Sequence, residues 1–206
     1  SARDSLSYFS EQFGPYQFEQ LRVAEIPSYH TFARSHPGVI AHSARLGFLT
    51  RPPAPGDIDV PYFVTAHEVS HQWWGNQIRP ADAQGAAMLT ETLAQYSALL
   101  VVEDEVGPHR MRSFLLAELG RYLRGRPRDS VGELPLYRVE DQDYIHYHKG
   151  ALAMYALRDY LGEDIVNRSL RRLLSLRGFS TDPFALSKDF LEIVKEEAGP
   201  EHLELI

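Results

Sequence analysis

The 206-residue sequence has no cysteine, only three lysines and no long apolar run. The missing cysteine excludes disulfide scaffolds, thiol nucleophiles and cysteine-ligated zinc ribbons. It says nothing about compartment, since a cysteine-free chain suits either redox environment. Apolar runs such as Ala98 to Val102 are far too short to span a bilayer, so the chain is expected to be soluble by itself. Residues 1–12 carry Arg3, Asp4 and Glu11 and show no signal-peptide pattern. The scarcity of lysine leaves 18 of the 21 basic residues as arginine, six of them between Arg110 and Arg128. Such a cluster can meet phosphate or anionic lipid. Here it runs into Gly125 and Pro127, which suits a solvated helix end where cations are favoured. With a net charge of −7 and no nucleic-acid motif, nucleic acid is not expected as a partner.

What is present is enough for a core. A chain of this length can bury roughly 70% of the surface its unfolded form exposes. A short helix is expected at Ser5 to Gln12, ended by Gly14-Pro15. Loosely alternating patterns at Phe18 to Ile26 and Val39 to Leu49 predict two strands, punctuated by Pro27 and Pro37-Gly38. A breaker cluster spans Arg51 to Asp59. Asp59 is then a natural N-cap, with Pro61 in the first turn of a helix. Further helices are expected at Leu89 to Glu105, Arg110 to Leu123, Tyr144 to Leu161, Ile165 to Leu176 and Phe184 to Ala198. Gly107 and Gly162 stop two of them, Asp182-Pro183 starts the last and Gly199-Pro200 closes it. The expected fold is α+β and a single domain over 1–206. A β-containing N-terminal lobe (1–58) precedes a larger helical lobe (59–206).

Residues 67–71 read His67-Glu68-Val69-Ser70-His71. On a helix, residues four apart share a face, so both imidazoles can reach one ion. Zinc suits this pair, taking histidine nitrogen at about 2.0–2.1 Å with one position left open in catalytic sites. Glu68 lies beside the ligands, where it can take a proton from a water the ion activates. Chance alone predicts on the order of 0.03 such pentapeptides in a chain of this composition, so context decides. The neighbours Phe63, Val64, Ala66, Trp73 and Trp74 are apolar, and burying two unliganded histidines and a carboxylate among them would be costly. A metal resolves that conflict.

A catalytic zinc usually has three protein ligands. Glu91 is the candidate for the third, the one acid in Leu89-Thr-Glu-Thr-Leu-Ala-Gln-Tyr96. A mid-helix glutamate facing a core is rare unless paired or ligating. Asp82 and Glu103 compete and read as more exposed. Tyr144-Ile-His-Tyr-His-Lys-Gly150 offers a phenol to stabilise the oxyanion of a tetrahedral intermediate, from Tyr144 or Tyr147. His146 and His148 are less well spaced as ligands than the first two histidines.

Three blocks in this order and approximate spacing closely resemble the gluzincin metallopeptidases of the aminopeptidase N family. They are His67-Glu-Val-Ser-His-Gln-Trp-Trp-Gly-Asn76, Thr90-Glu-Thr-Leu-Ala-Gln-Tyr96 and Tyr147-His-Lys-Gly150. Weaker likeness at Phe13 to Tyr16, Leu21 to Pro27 and Leu157 to Asp164 extends the resemblance over nearly the whole chain. It implies a thermolysin-like catalytic domain, one zinc ion per chain on His67, His71 and Glu91, Glu68 as general base, and Tyr147 as transition-state stabiliser. The implied partner is a peptide substrate.

The sequence departs from that family at three places. The stretch between His71 and Glu91 is one residue longer than usual, which implies an insertion near Pro80 to Gly85. Phe32-Ala-Arg-Ser-His36 stands where the family carries Gly-Ala-Met-Glu-Asn, whose glutamate holds the substrate's free amine, and Ser35 takes that place. A hydroxyl anchors an ammonium more weakly than a carboxylate does, so selectivity for free amino termini is expected to weaken. The family's enzymes are also larger, with an N-terminal β-domain. With Trp73-Trp74, the Pro80-Ala-Asp-Ala-Gln-Gly85 loop and no amine-anchoring motif, the chain most resembles the peptidase-like domains of bacterial ABC-transporter permease polypeptides. That likeness implies a segment of a longer protein with membrane-embedded parts.

Overall fold

The computed structural model describes residues 1–51, 53–54 and 57–206; of the expected breaker cluster, Pro52, Pro55 and Gly56 lie outside the described residues. Helix α1 (Ala2–Gln12) puts Phe9 and the following Phe13 on one face, where their rings stack 5.7 Å apart. Phe9 meets Trp73 edge-on at 5.6 Å, and Phe13 meets Trp74 at 5.3 Å. Both indoles are buried with their N–H satisfied, Trp73 donating to the Gly14 carbonyl and Trp74 to Ser97 Oγ. The segment after the histidine-bearing helix is thereby clamped between α1 and the next long helix.

Three short strands follow: β1 (Arg22–Ile26), β2 (Ala33–His36) and β3 (Val39–Ser43). They form one sheet in the order β1-β3-β2, with β1 parallel and β2 antiparallel to β3. Pro37-Gly38 joins β2 to β3, and Gly38 takes a φ of +72° that an L side chain resists. Strand β1 is shorter than the expected 18–26. The expected strand at 39–49 stops at Ser43, because the Ser43 hydroxyl accepts from the Arg45 N–H and caps a helical turn, α2 (Ala44–Gly47). Periodicity missed β2, whose residues alternate half-buried and exposed over only four positions.

Helix α3 (Val60–Ser70) begins as expected, with Asp59 Oδ1 accepting from the Tyr62 N–H at 2.9 Å and Pro61 in the first turn. Trp73 and Trp74 lie in the turn beyond it rather than on it. A five-residue π turn (Met88–Thr92) leads into α4 (Leu93–Val106), and a second π turn (Tyr144–Lys149) leads into α6 (Gly150–Leu161). Every residue of α4 from Leu93 to Val102 is buried, so this helix is the axis of the core and packs along α3. Helices α5 (Met111–Gly125), α7 (Glu163–Arg177) and α8 (Ser187–Ala198) surround it. Gly107, Gly162 and Gly199 end their helices as expected. The last helix starts at Ser187 rather than Phe184. Ala185 is held extended against Arg79 and Ala81 by backbone hydrogen bonds, and Asp189 caps the Leu186 N–H. Among the described residues no helix is long and apolar enough to cross a membrane.

Candidate metal centre

His67 occupies the last turn of α3, and His71 is its C-cap residue, still in α-helical conformation. The facing Nε2 atoms are 3.1 Å apart, and Glu91 Oε2 lies 3.4 Å from His67 Nε2 and 3.5 Å from His71 Nε2. A tetrahedral zinc with bonds of about 2.0–2.1 Å has ligand-to-ligand edges of about 3.3–3.4 Å. The triangle drawn by these three side chains therefore matches one face of a zinc tetrahedron. His71 Nδ1 donates to the Trp74 carbonyl at 2.9 Å, which turns its Nε2 lone pair toward the triangle. His67 Nδ1 is buried with no partner among the described residues. Burial alone would lower the His71 pKa and raise that of Glu91. The hydrogen bond and charge of Glu91 outweigh this on His71, and those of His67 and His71 together outweigh it on Glu91, so His71 is raised and Glu91 is held far below the usual carboxylate range. Two imidazoles packed on a carboxylate in this way suit a cation with an open coordination position.

Glu68, buried beside His67, faces the cavity in front of this triangle. Tyr147 faces it too, its ring 5.9 Å from that of His67. Burial, then the charge and hydrogen bond of Glu91, push the Tyr147 phenol up, so it is a protonated donor. Glu91 and Tyr147 both sit on π turns, whose hydrogen bonds span one more residue than those of an α-helix (i→i+5) and which often occur at functional sites. The two turns touch. Thr92 Oγ1 donates to the His146 carbonyl at 2.5 Å. Gly150 permits the approach, since a Cβ there would lie 2.6 Å from Thr92 Oγ1. The extra residue between His71 and Glu91 was expected in the 80–85 loop, and the π turn is another place where an added residue is accommodated.

Ser35, on the edge strand β2, lines the same cavity of about 530 Å³. Its hydroxyl accepts from Gln72 Nε2 at 2.6 Å. The buried Gln72 also donates to the His36 carbonyl and accepts from the Gly38 N–H, both at 2.9 Å. Gln72 thus ties the β2–β3 hairpin to the end of α3, a role the sequence reading did not assign; its place directly after the second histidine was the available signal.

The remaining candidates are elsewhere. Tyr144 donates to Asp129 Oδ2 at 2.9 Å and stacks on Tyr122, away from the triangle. His146 Nδ1 donates to the Glu140 carbonyl, and His148 Nδ1 donates to Glu118. Asp82 is exposed as expected. Glu103 is not: its side chain is 13% accessible against 27% for Glu91. It is buried because it pairs with Arg158 and accepts from Tyr155, so ion pairing rather than exposure removes it from competition. In the arginine cluster, Arg121 pairs with Glu118 and Arg126 with Glu133.

A histidine pair on one helix, a glutamate from the next and a carboxylate between the histidines define a metallopeptidase type of site. The chain belongs to peptidase family M1, whose domain it matches over residues 1–205. Endoplasmic reticulum aminopeptidase 2 of Homo sapiens is 25% identical over 177 residues, 82% of this chain and 18% of that protein. Probable aminopeptidase 1 of Sulfurisphaera tokodaii is 25% identical over 206 residues, 96% of this chain and 26% of that protein. The crystal structure of an M1 zinc metallopeptidase from Deinococcus radiodurans superposes with a TM-score of 0.68 at 26% identity, covering 96% of this chain and 40% of that one. The fold is therefore that of an M1 metallopeptidase, with a small β-containing N-terminal lobe and a helical lobe. The chain spans about a quarter or less of the length of these curated relatives.

Proposed function

We propose that residues 1–206 act as one catalytic domain of a zinc-dependent peptidase. The observation that carries this reading is the convergence of three donor atoms at tetrahedral spacing beside a buried carboxylate facing the same cavity. His67, His71 and Glu91 would hold the zinc ion, a metal in keeping with the similar structure named as a zinc metallopeptidase. When bound, zinc polarises a carbonyl and makes a water more acidic. Glu68 takes the proton of the attacking water and passes it to the leaving amine. Tyr147 donates its phenolic proton as a hydrogen bond to the oxygen that gains charge when the peptide carbonyl is attacked. Removing one such donor costs about 10²–10³ in kcat. Tyr147→Phe is accordingly expected to lower turnover by that order while zinc affinity stays close to wild type; a matching loss of zinc would remove Tyr147 from this role.

The peptide's amino-terminal side faces Ser35, whose hydroxyl already accepts from Gln72. An ammonium gains little there, and a blocked or internal peptide loses little. The test is to give zinc-loaded protein matched peptides with free and acetylated amino termini. The expected result is cleavage of both, with the acetylated peptide cut no more slowly. Strong preference for the free amine would restore strict aminopeptidase selectivity. The same substitution favours a second reading, a zinc-bearing module that binds a peptide or partner without cutting it. Its resemblance to transporter-associated domains would then supply membrane-embedded segments of the same polypeptide as context. One zinc per chain by elemental analysis, with neither peptide cut, selects that reading.

A further inference from the structure

Glu118, in the middle of α5, has a carboxylate that is only 2% accessible. It is fully engaged. Oε2 accepts from His148 Nδ1 at 2.7 Å and from Gln95 Nε2 at 3.1 Å, and Oε1 pairs with Arg121. Burial would raise this carboxyl, yet the donors from His148 and Gln95 and the charge of Arg121 hold it below the usual range. A buried charge is costly, and this one serves no packing need that an apolar residue could not meet.

The partners explain its position. His148 follows Tyr147 on the second π turn, and Gln95 lies one helical turn beyond Glu91 on α4. One carboxylate on α5 therefore grips two of the three elements that bring side chains to the metal centre, the one that carries Glu91 and the one that carries Tyr147, while α3 carries the histidines. Tyr147 is bracketed by two ties, since the preceding His146 carbonyl is held by Thr92, next to Glu91. Glu118 and His148 also form part of the wall of a cavity of about 320 Å³ that opens onto His67, Glu68 and Tyr147. A single π turn interrupts the i→i+4 register of the helix with wider i→i+5 bonds, and side-chain ties to neighbouring elements then help to set where its residues point.

We infer that Glu118 is a positioning residue which, through His148 and Gln95, sets the register of the second π turn and aims the Tyr147 hydroxyl at the reacting carbonyl. Only the kinetic arm of its test rests on the peptidase reading above.

Glu118→Gln keeps the shape and removes the charge. It is expected to lower kcat about tenfold, with KM within about twofold and one zinc per chain retained. In a Tyr147→Phe background the same change is expected to cost less than about twofold, because the hydroxyl it aims is gone. An equal loss in both backgrounds, or no loss in either, overturns the inference. The second arm needs no turnover. In ¹³Cζ-tyrosine NMR of the zinc-loaded protein, the Tyr147 signal, assigned by its disappearance in Tyr147→Phe, is expected to shift in Glu118→Gln. Tyr16 and Tyr96 are expected to stay in place. A static Tyr147 signal counts against positioning, and a wild type that cuts no peptide counts against the peptidase reading and leaves this arm to decide. If Glu118→Gln does not fold, His148→Leu and His148→Asn carry the same comparison. Leucine lowers kcat and shifts Tyr147, whereas asparagine, donating from the place of Nδ1, recovers most of both; equal behaviour of the two overturns the inference.

Discussion

Glu68→Gln is expected to reduce peptide hydrolysis by about 10²–10⁴-fold while the protein still binds one zinc ion per chain. The change is nearly isosteric, so α3 and the two flanking imidazoles keep their places. What is lost is the capacity to accept a proton. Glu68 faces the cavity shared with His67, His71, Glu91 and Tyr147, and the proposed water must lie in that space. An amide there can orient a water but cannot deprotonate it, and nothing then returns a proton to the leaving amine. Turnover measured beside zinc content separates this from a folding or metal defect. Undiminished hydrolysis in a fully zinc-loaded variant would falsify the base assignment.

Glu91→Ala is expected to act on the metal rather than on the proton. Loss of an outer partner to a zinc ligand costs about 10–100-fold in affinity, so loss of a directly bound carboxylate is expected to cost on the order of 10² or more. Without Glu91 the two imidazoles keep their place at the end of α3, but the carboxylate that closes the triangle on a cation is gone. The measurement is competition with a chromogenic chelator, with Asp82→Ala as control because Asp82 is exposed. Wild-type zinc affinity in Glu91→Ala, or a comparable loss in Asp82→Ala, would move the third ligand elsewhere. Turnover falls with zinc occupancy in Glu91→Ala, whereas in Glu68→Gln occupancy stays full. That contrast tells the ligand from the base.

Much of this was legible because it is local. Four-residue spacing fixes two imidazoles on one helix face, Asp59 and Pro61 mark where that helix begins, and glycine ends three others. Elements whose residues are read against non-local partners were misjudged. β2 exists because β3 pairs with it rather than through any pattern of its own, whereas the strand expected to run to Leu49 is cut short locally, by the Ser43 cap on the Arg45 N–H. Helix α8 starts late because Ala185 pairs with residues about a hundred positions earlier in the chain.

The absence of cysteine remains the most informative fact in the sequence by itself. It forced any metal onto histidine and carboxylate, the donor set of hydrolytic rather than structural zinc, and the 67–71 pentapeptide offered the two proposed ligands and the proposed base. Where the other candidate side chains lie came only from the tertiary structure. Glu91 was preferred over Glu103 on an expectation of exposure, yet Glu103 is the more buried of the two. It is excluded because Arg158 and Tyr155 hold it, a fact that depends on how α4 packs on α6. The choice of Tyr147 over Tyr144 likewise depends on a π turn, which no residue pattern distinguishes from an α turn. Its direction is set by Thr92 and Glu118, 54 and 30 residues away from the histidines they hold. Spacing along a helix is written in the chain, whereas the aim of a side chain at a shared point is fixed only when separate elements are packed together.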